Sequence, residues 1–212
     1  MNPQPASPIK RSGIEPLLLG GYQILAQKGL DALTYRALAA KLNCSVGTLS
    51  YHFPQKEDLL TAILASQINP RWRPKLRHIS PQEPLVELCE IVKQILPLTN
   101  EMDMWWRARL NLFAFRAGHP KLRAEMKKGF LETEAFYAQK FNLLKRQNQK
   151  QLAVTMTAQE LSRHFILLLE GAGASMLQLS MPERSDYGAP ILNWLNGLVM
   201  RKNNENSRNK IS

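Results

Sequence analysis

Thr34, Tyr35, Ser45, Thr48, Ser50, Tyr51, His52 and Lys56 crowd one short stretch, TYRALAAKLNCSVGTLSYHFPQK. Hydroxyls, an imidazole and an ammonium at this density suit hydrogen bonding and charge pairing. No catalytic constellation is found among them. The chain has no Gly-rich phosphate loop after a strand, no HExxH and no GxSxG. Its four histidines, His52, His78, His119 and His164, are scattered, and Cys44 and Cys89 are its two cysteines. Neither set has metal-ligand or disulfide-framework spacing. The expectation is a protein that is not an enzyme and has no metal and no cofactor.

These side chains need elements to hold them. Thr34 has the position of an N-cap before a short helix, Tyr35 to Leu42, whose buried face is Leu38, Ala39 and Leu42. Asn43-Cys44 leaves room only for a tight turn. Ser45 caps a second short helix, Val46 to about His52, anchored through Leu49 and Phe53. Pro54-Gln55 breaks it, and another helix starts at Lys56 and runs to about Asn69. A supporting helix, a tight turn and a projecting second helix make a helix-turn-helix, which fits a major groove about 12 Å wide.

Roles follow from chemistry. Val46 and Thr48 can meet thymine methyls, and Thr48 can also hydrogen-bond a base edge. Gly47 lets the backbone come close. Ser50 is exposed beside them, and Tyr51 and His52 carry polar tips that reach phosphates. Lys56, at a helix start, pairs its ammonium with free backbone N–H groups around one phosphate. Thr34 and Tyr35 start the supporting helix and can do likewise. Lys10 and Arg11 form a basic arm that adds minor-groove or backbone contacts. Each of Thr34 and Ser45 is also worth about 1 kcal/mol as a cap alone.

The segment from Leu33 to Leu60 resembles the DNA-binding domain of the TetR family of bacterial transcriptional regulators. That family's pattern is an Ala-rich helix, a turn, and Ser-x-Gly-Thr-Leu-Tyr-x-x-Phe-x-x-Lys-x-x-Leu. Ser45, Gly47, Thr48, Leu49, Phe53, Lys56, Leu59 and Leu60 stand in those places here, with Gly29 and Thr34 upstream. The sequence departs from it twice. Asn43 replaces the usual turn glycine and tolerates the same left-handed backbone. Ser50 replaces the usual Tyr, with Tyr51 one place later, so the recognition surface differs. The resemblance implies an operator-binding regulator that dimerises through its last two long helices and answers to a small-molecule effector.

The charge balance is compatible with a polyanion. The chain of 212 residues carries 28 Lys+Arg against 17 Asp+Glu, a net +11. Ten of the basic and four of the acidic residues fall in residues 1–78. Double-stranded DNA fits that asymmetry better than an anionic membrane. No leader is evident in MNPQPASPIKRSG, and the longest apolar stretch, Phe165 to Leu179, contains Glu170. Neither pattern points to a membrane, and a cytoplasmic location is expected.

The rest of the chain also reads as helix. Helices are expected over Ile14–Lys28, from a capping box at Ser80–Glu83 to about Leu96, from Asn100 to about Ala117, from Pro120 to about Lys145, from a capping box at Thr157–Glu160 to about Leu179, and over Tyr187–Arg201. The Thr157–Leu179 helix is apolar nearly all round, which demands burial on all sides. Phe165, Leu169, Gly173 and Met176, with Leu192, Trp194, Leu195 and Leu198 of the last helix, are therefore the expected interface of a homodimer. Two-fold symmetry would place two recognition helices one turn of DNA apart, about 34 Å. Trp105, Trp106, Arg109, Phe113, Phe130, Tyr137, His164 and Glu170 supply aromatic and polar groups for an effector pocket. Glu170, if buried, needs a partner such as Arg109 or Arg163, or a cationic ligand.

The expected architecture is all-α. A disordered basic arm (1–12) precedes a three-helix helix-turn-helix domain (13–56), a larger helical domain for effector binding and dimerisation (57–201), and a disordered tail (202–212). The function expected is a ligand-responsive repressor. Two alternatives remain open from sequence. One is a DNA-bound adaptor responding to a protein partner. The other is a helical interaction protein whose helix-turn-helix does not bind DNA.

Overall fold

The structure, a computed structural model, describes residues 13–72, 83–148 and 155–199. Arg11, the arm, the tail and most of the Ser80 capping box lie outside the described residues. Every regular element among those described is helical: α1 (Glu15–Lys28), α2 (Tyr35–Leu42), α3 (Val46–His52), α4 (Lys56–Ile63), α5 (Pro84–Ile95), α6 (Asn100–Phe115), α7 (Pro120–Gln147), α8 (Ala158–Met176) and α9 (Ala189–Leu198). No helix among them is long and apolar enough to cross a membrane.

The helices form two compact units. The first contains α1 to α4, α6 and the start of α7 as far as Phe130; the second contains α5, the remainder of α7, α8 and α9. The expected boundary after Lys56 falls within α4, and α6 packs along α1 in the same unit as the helix-turn-helix.

In the first unit α1 is the central strut. Leu17, Leu18, Tyr22 and Leu25 are buried with Leu33, Leu38, Leu49, Phe53, Leu59, Leu60 and Ile63 from the loop and from α2 to α4. Gly20 and Gly21 cost helix propensity, and packing supplies the reason for them. A Cβ on Gly20 would lie 3.1 Å from Leu38 Cδ1, and one on Gly21 only 2.8 Å from Ile63 Cδ1. Gly29 ends α1 at φ 80° and ψ −179°, a conformation open almost only to glycine.

The helix expected from Lys56 to Asn69 changes character part-way. After Ile63 the chain widens into a π-helix, Leu64–Ile68, and then tightens into a 3-10 turn, Asn69–Trp72. Buried Trp105 of α6 donates its indole N–H to the Ile68 carbonyl at 3.1 Å. Asn69 donates from Nδ2 to Glu125 at 3.0 Å. Both bonds come from partners distant in sequence, so no local pattern announces the change.

The second unit is built on aromatic packing. Tyr137 and Phe141 of α7 meet Phe165 of α8 edge-on at 5.1 and 5.9 Å, and Trp194 of α9 stacks on Phe165 at 6.3 Å. Glu87 of α5 is buried and pairs with Lys140 of α7 at 2.8 Å. Arg184 is also buried; it donates to the carbonyls of Leu179 and Pro97 at 2.9 Å each. These bonds pin a 3-10 segment, Met181–Gly188, so α9 begins at Ala189 and not near Tyr187 as expected.

Candidate nucleic-acid interface

The supporting helix starts as its sequence requires. Thr34 is extended, and its Oγ1 accepts from the Ala37 N–H at 3.1 Å. The helix ends at Asn43, which sits in the left-handed region at φ 51° and ψ 47°. The Cys44 N–H then closes the turn on the Ala39 carbonyl at 3.0 Å. The Cys44 side chain is half-buried. Ser45 caps α3: its Oγ accepts from the Thr48 N–H at 3.0 Å and shares a hydrogen bond with the Thr48 hydroxyl at 2.9 Å.

This capping orients α3 with one face in and one face out. Leu49 is fully buried and Phe53 is 4% exposed. Val46, Gly47, Ser50, Tyr51 and His52 are all exposed, Tyr51 at 83%, and Thr48 is half-exposed. A Cβ built on Gly47 would meet nothing closer than Ser45 Oγ at 3.5 Å, so the absence of a side chain there leaves outer space open and not an internal clash relieved. The Tyr51 ring lies edge-on to His52 at 5.2 Å.

Two side chains read from sequence as phosphate ligands have internal partners. The Tyr35 hydroxyl donates to the Phe53 carbonyl at the end of α3. Its role is to tie the supporting helix to the recognition helix, and its pKa is raised, chiefly by burial and also by Asp58. Lys56 Nζ donates to the Leu30 carbonyl at 3.1 Å, in the loop between α1 and α2. An ammonium has three donors, so this bond orients Lys56 without exhausting it. Arg36, exposed on α2, was not singled out by sequence because no motif marks it.

The expected effector residues divide between the two units. In the first, Trp105 and Trp106 are fully buried, while Phe113 and Phe130 are 39% and 45% exposed. Arg109 lies over the Trp106 ring at 5.5 Å and the Phe113 ring at 5.8 Å. In the second, Tyr137 is fully buried in the aromatic core, which pushes its pKa up. His164 is exposed and stacks on Trp194 at 5.8 Å, and Glu170 is half-buried. Arg163 pairs with Glu134 at 3.0 Å. A surface cleft of about 360 Å³ in the first unit is lined instead by Lys28, Gly29, Leu30, Asp31, Asn111, Ala114 and Phe115.

The interface expected on α8 and α9 needs a correction of face. Phe165, Leu169, Met176, Leu195 and Leu198 are 0 to 2% exposed in the single chain, and Gly173 is also buried. Such residues have no surface left to lose to a second chain; they are the core of the second unit. Leu192 and Trp194 remain half-exposed. The open face of α8 carries Arg163, His164, Leu167, Gly171 and Ser175, with Leu167 at 67%.

Residues 17–63, from α1 to the end of α4, match the family model for bacterial regulatory proteins of the tetR family. This segment of the chain is therefore similar to the DNA-binding domain of that family. Solved structures share the fold over nearly the whole chain. A TetR transcription regulator from Haloarcula marismortui is 16% identical with a TM-score of 0.74, covering 88% of this chain and 97% of its own. A transcriptional regulator from Rhodococcus sp. Rha1 is 16% identical with a TM-score of 0.72, covering 89% and 96%. A protein of Saccharomonospora viridis described as a transcriptional regulator, in complex with choline, is 21% identical with a TM-score of 0.72, covering 88% and 97%. Among curated proteins, none matches this sequence. Within the matched segment, α2 and α3 are the two helices of the helix-turn-helix.

Proposed function

We propose that this chain is a TetR-family regulator, a cytoplasmic homodimeric repressor whose two α3 helices read adjacent major grooves of an operator. The outward face of α3 carries this reading, because its buried anchors, Leu49 and Phe53, leave Val46, Gly47, Ser50, Tyr51 and His52 exposed. Thr48 adds a methyl and a hydroxyl. Thr34, the backbone at the start of α2, Ser45 and Lys56 act at phosphates, joined by Arg36. Arg11 extends these contacts from the arm. Base edges supply specificity and phosphates supply registration.

Dimerisation uses the open face of α8, where Leu167 is followed one turn later by Gly171, with Leu192 and Trp194 of α9 at the margin. An exposed leucine beside a glycine allows close helix–helix approach and buries apolar surface.

An effector acts by population shift. A molecule that favours a wider separation of the two α3 helices must weaken DNA binding by the same coupling free energy, about 1–3 kcal/mol. The choline bound by the Saccharomonospora viridis protein makes small organic cations the first class to try. At Trp106 such a cation would have to displace Arg109, which already covers the ring.

The experiment is to recover and sequence genomic fragments retained by the purified protein, then to add candidate effectors to the complex. The proposal expects a shared palindromic site, loss of retention with Thr48→Ala or Tyr51→Ala, and release by an effector. Retention without sequence preference would contradict it.

A further inference from the structure

The first turn of α4 carries opposed charges. Lys56 and the free N–H groups suit a phosphate, yet the next two residues are Glu57 and Asp58. Two carboxylates beside a bound phosphate would repel it. Both are half-buried, and both turn onto the start of α7. Glu57 Oε1 accepts from the backbone N–H of Lys121 at 2.8 Å and of Leu122 at 3.3 Å. These are groups that a helix's first turn leaves without an internal partner. Asp58 Oδ1 accepts from Lys121 Nζ at 2.6 Å, while Oδ2 accepts from the Gln55 N–H at 3.1 Å.

The electrostatics agree with the geometry. The hydrogen bond from Lys121 is the largest cause holding the Asp58 acid below its ordinary value, and the bond to Asp58 is the largest cause raising the Lys121 ammonium. Asp58 also acts on the Tyr35 phenol, raising its pKa after the larger effect of burial. The Asp58 carboxylate is thus held by Lys121 at the start of α7 and is felt at Tyr35 at the start of α2.

We infer that Lys121 and the N-terminus of α7 are positioning elements for DNA binding: they hold and neutralise Glu57 and Asp58 so that the first turn of α4 stays receptive to a phosphate. The inference rests on the proposed DNA contacts of α2 to α4. The role assigned to Lys121 is to compensate Asp58, to which its ammonium donates at 2.6 Å. Both Asp58 oxygens are taken, by Lys121 and by Gln55, and Glu57 Oε1 is turned onto the start of α7.

The test uses the full-length protein and a labelled duplex enriched from a random-sequence pool by the unmutated protein. Affinity is read by fluorescence anisotropy over a range of salt concentrations. Lys121→Met should weaken binding about tenfold, as expected when uncompensated like charge faces a bound anion. The slope of log K on log salt should stay unchanged, because no phosphate contact is lost. Lys121→Arg should retain affinity, and adding Asp58→Asn to Lys121→Met should recover most of the loss. Circular dichroism of each variant separates these effects from unfolding. A Lys121→Met protein that is folded and binds as tightly as the original would overturn the inference, and so would a loss accompanied by a shallower salt slope or one that Asp58→Asn does not relieve. If the unmutated protein enriches no duplex, the DNA-binding reading fails, and the inference falls with it. That result is distinct from unmutated binding with no effect at Lys121.

Discussion

The Tyr35 hydroxyl donates its hydrogen bond to the carbonyl of Phe53, joining the first turn of the supporting helix to the last residue of the recognition segment. The bond spans eighteen positions of sequence and fixes the end of α3 from outside that helix. Tyr35→Phe keeps the ring and removes the bond. It should cost about 1 kcal/mol of stability, the ordinary net worth of such a bond. Affinity for DNA should fall several-fold, with no change in its salt slope, because α3 loses orientation and no phosphate contact is removed. Thermal melting and anisotropy titrations check both.

Gly47 separates surface function from stability. A methyl group there meets only Ser45 Oγ at 3.5 Å within the protein. Gly47→Ala should therefore fold normally and gain up to about 1 kcal/mol from helix propensity. Its DNA affinity should drop by about tenfold if the backbone of α3 lies against base edges, since an added methyl would push neighbouring side chains off base contacts that carry about 1–3 kcal/mol when bidentate. A melting temperature equal to or above the original, with weakened binding, is the expected pair of results.

The Glu87–Lys140 pair makes an asymmetric prediction. The Glu87 side chain is 4% exposed, and that of Lys140 is 20% exposed. Lys140→Met strands a buried carboxylate and should cost about 3 kcal/mol. Glu87→Gln leaves an ammonium that can still reach water, so it should cost less. Combining Glu87→Leu with Lys140→Met should recover part of the single-variant loss, measured by chemical denaturation.

Leu167 tests the dimer. At 67% exposure it adds little to the fold of its own chain. Leu167→Glu should convert a dimer to a monomer in sedimentation experiments while leaving the helical spectrum intact. Gly171→Leu, at a position with no neighbour within 4 Å, should do the same by blocking close approach. A chain that remains dimeric in both variants would place the interface elsewhere.

The helix-turn-helix was legible because its determinants are local. Thr34 and Ser45 each cap a helix three residues ahead of the N–H they accept, and Asn43 takes the turn conformation its type allows. The elements that depend on distant partners were not. Trp105 reaches Ile68 across thirty-seven positions, and Arg184 reaches Pro97 across eighty-seven. Apolar character all round α8 signalled burial, but it could not say by which neighbour. The rings of Tyr137, Phe141 and Trp194 take the side of Phe165 that had been assigned to a second chain. Aromatic density in α6 and α7 likewise does not say which rings pack the interior, and Trp105, Trp106 and Tyr137 are fully buried.

Guanine-methylation interference on an enriched duplex tests the central claim most directly, because N7 lies on the major-groove floor where the outer face of α3 is placed. The account predicts interference in two clusters about one helical turn apart, with both clusters weakened in Gly47→Ala. Binding that ignores N7 methylation throughout the site would contradict it.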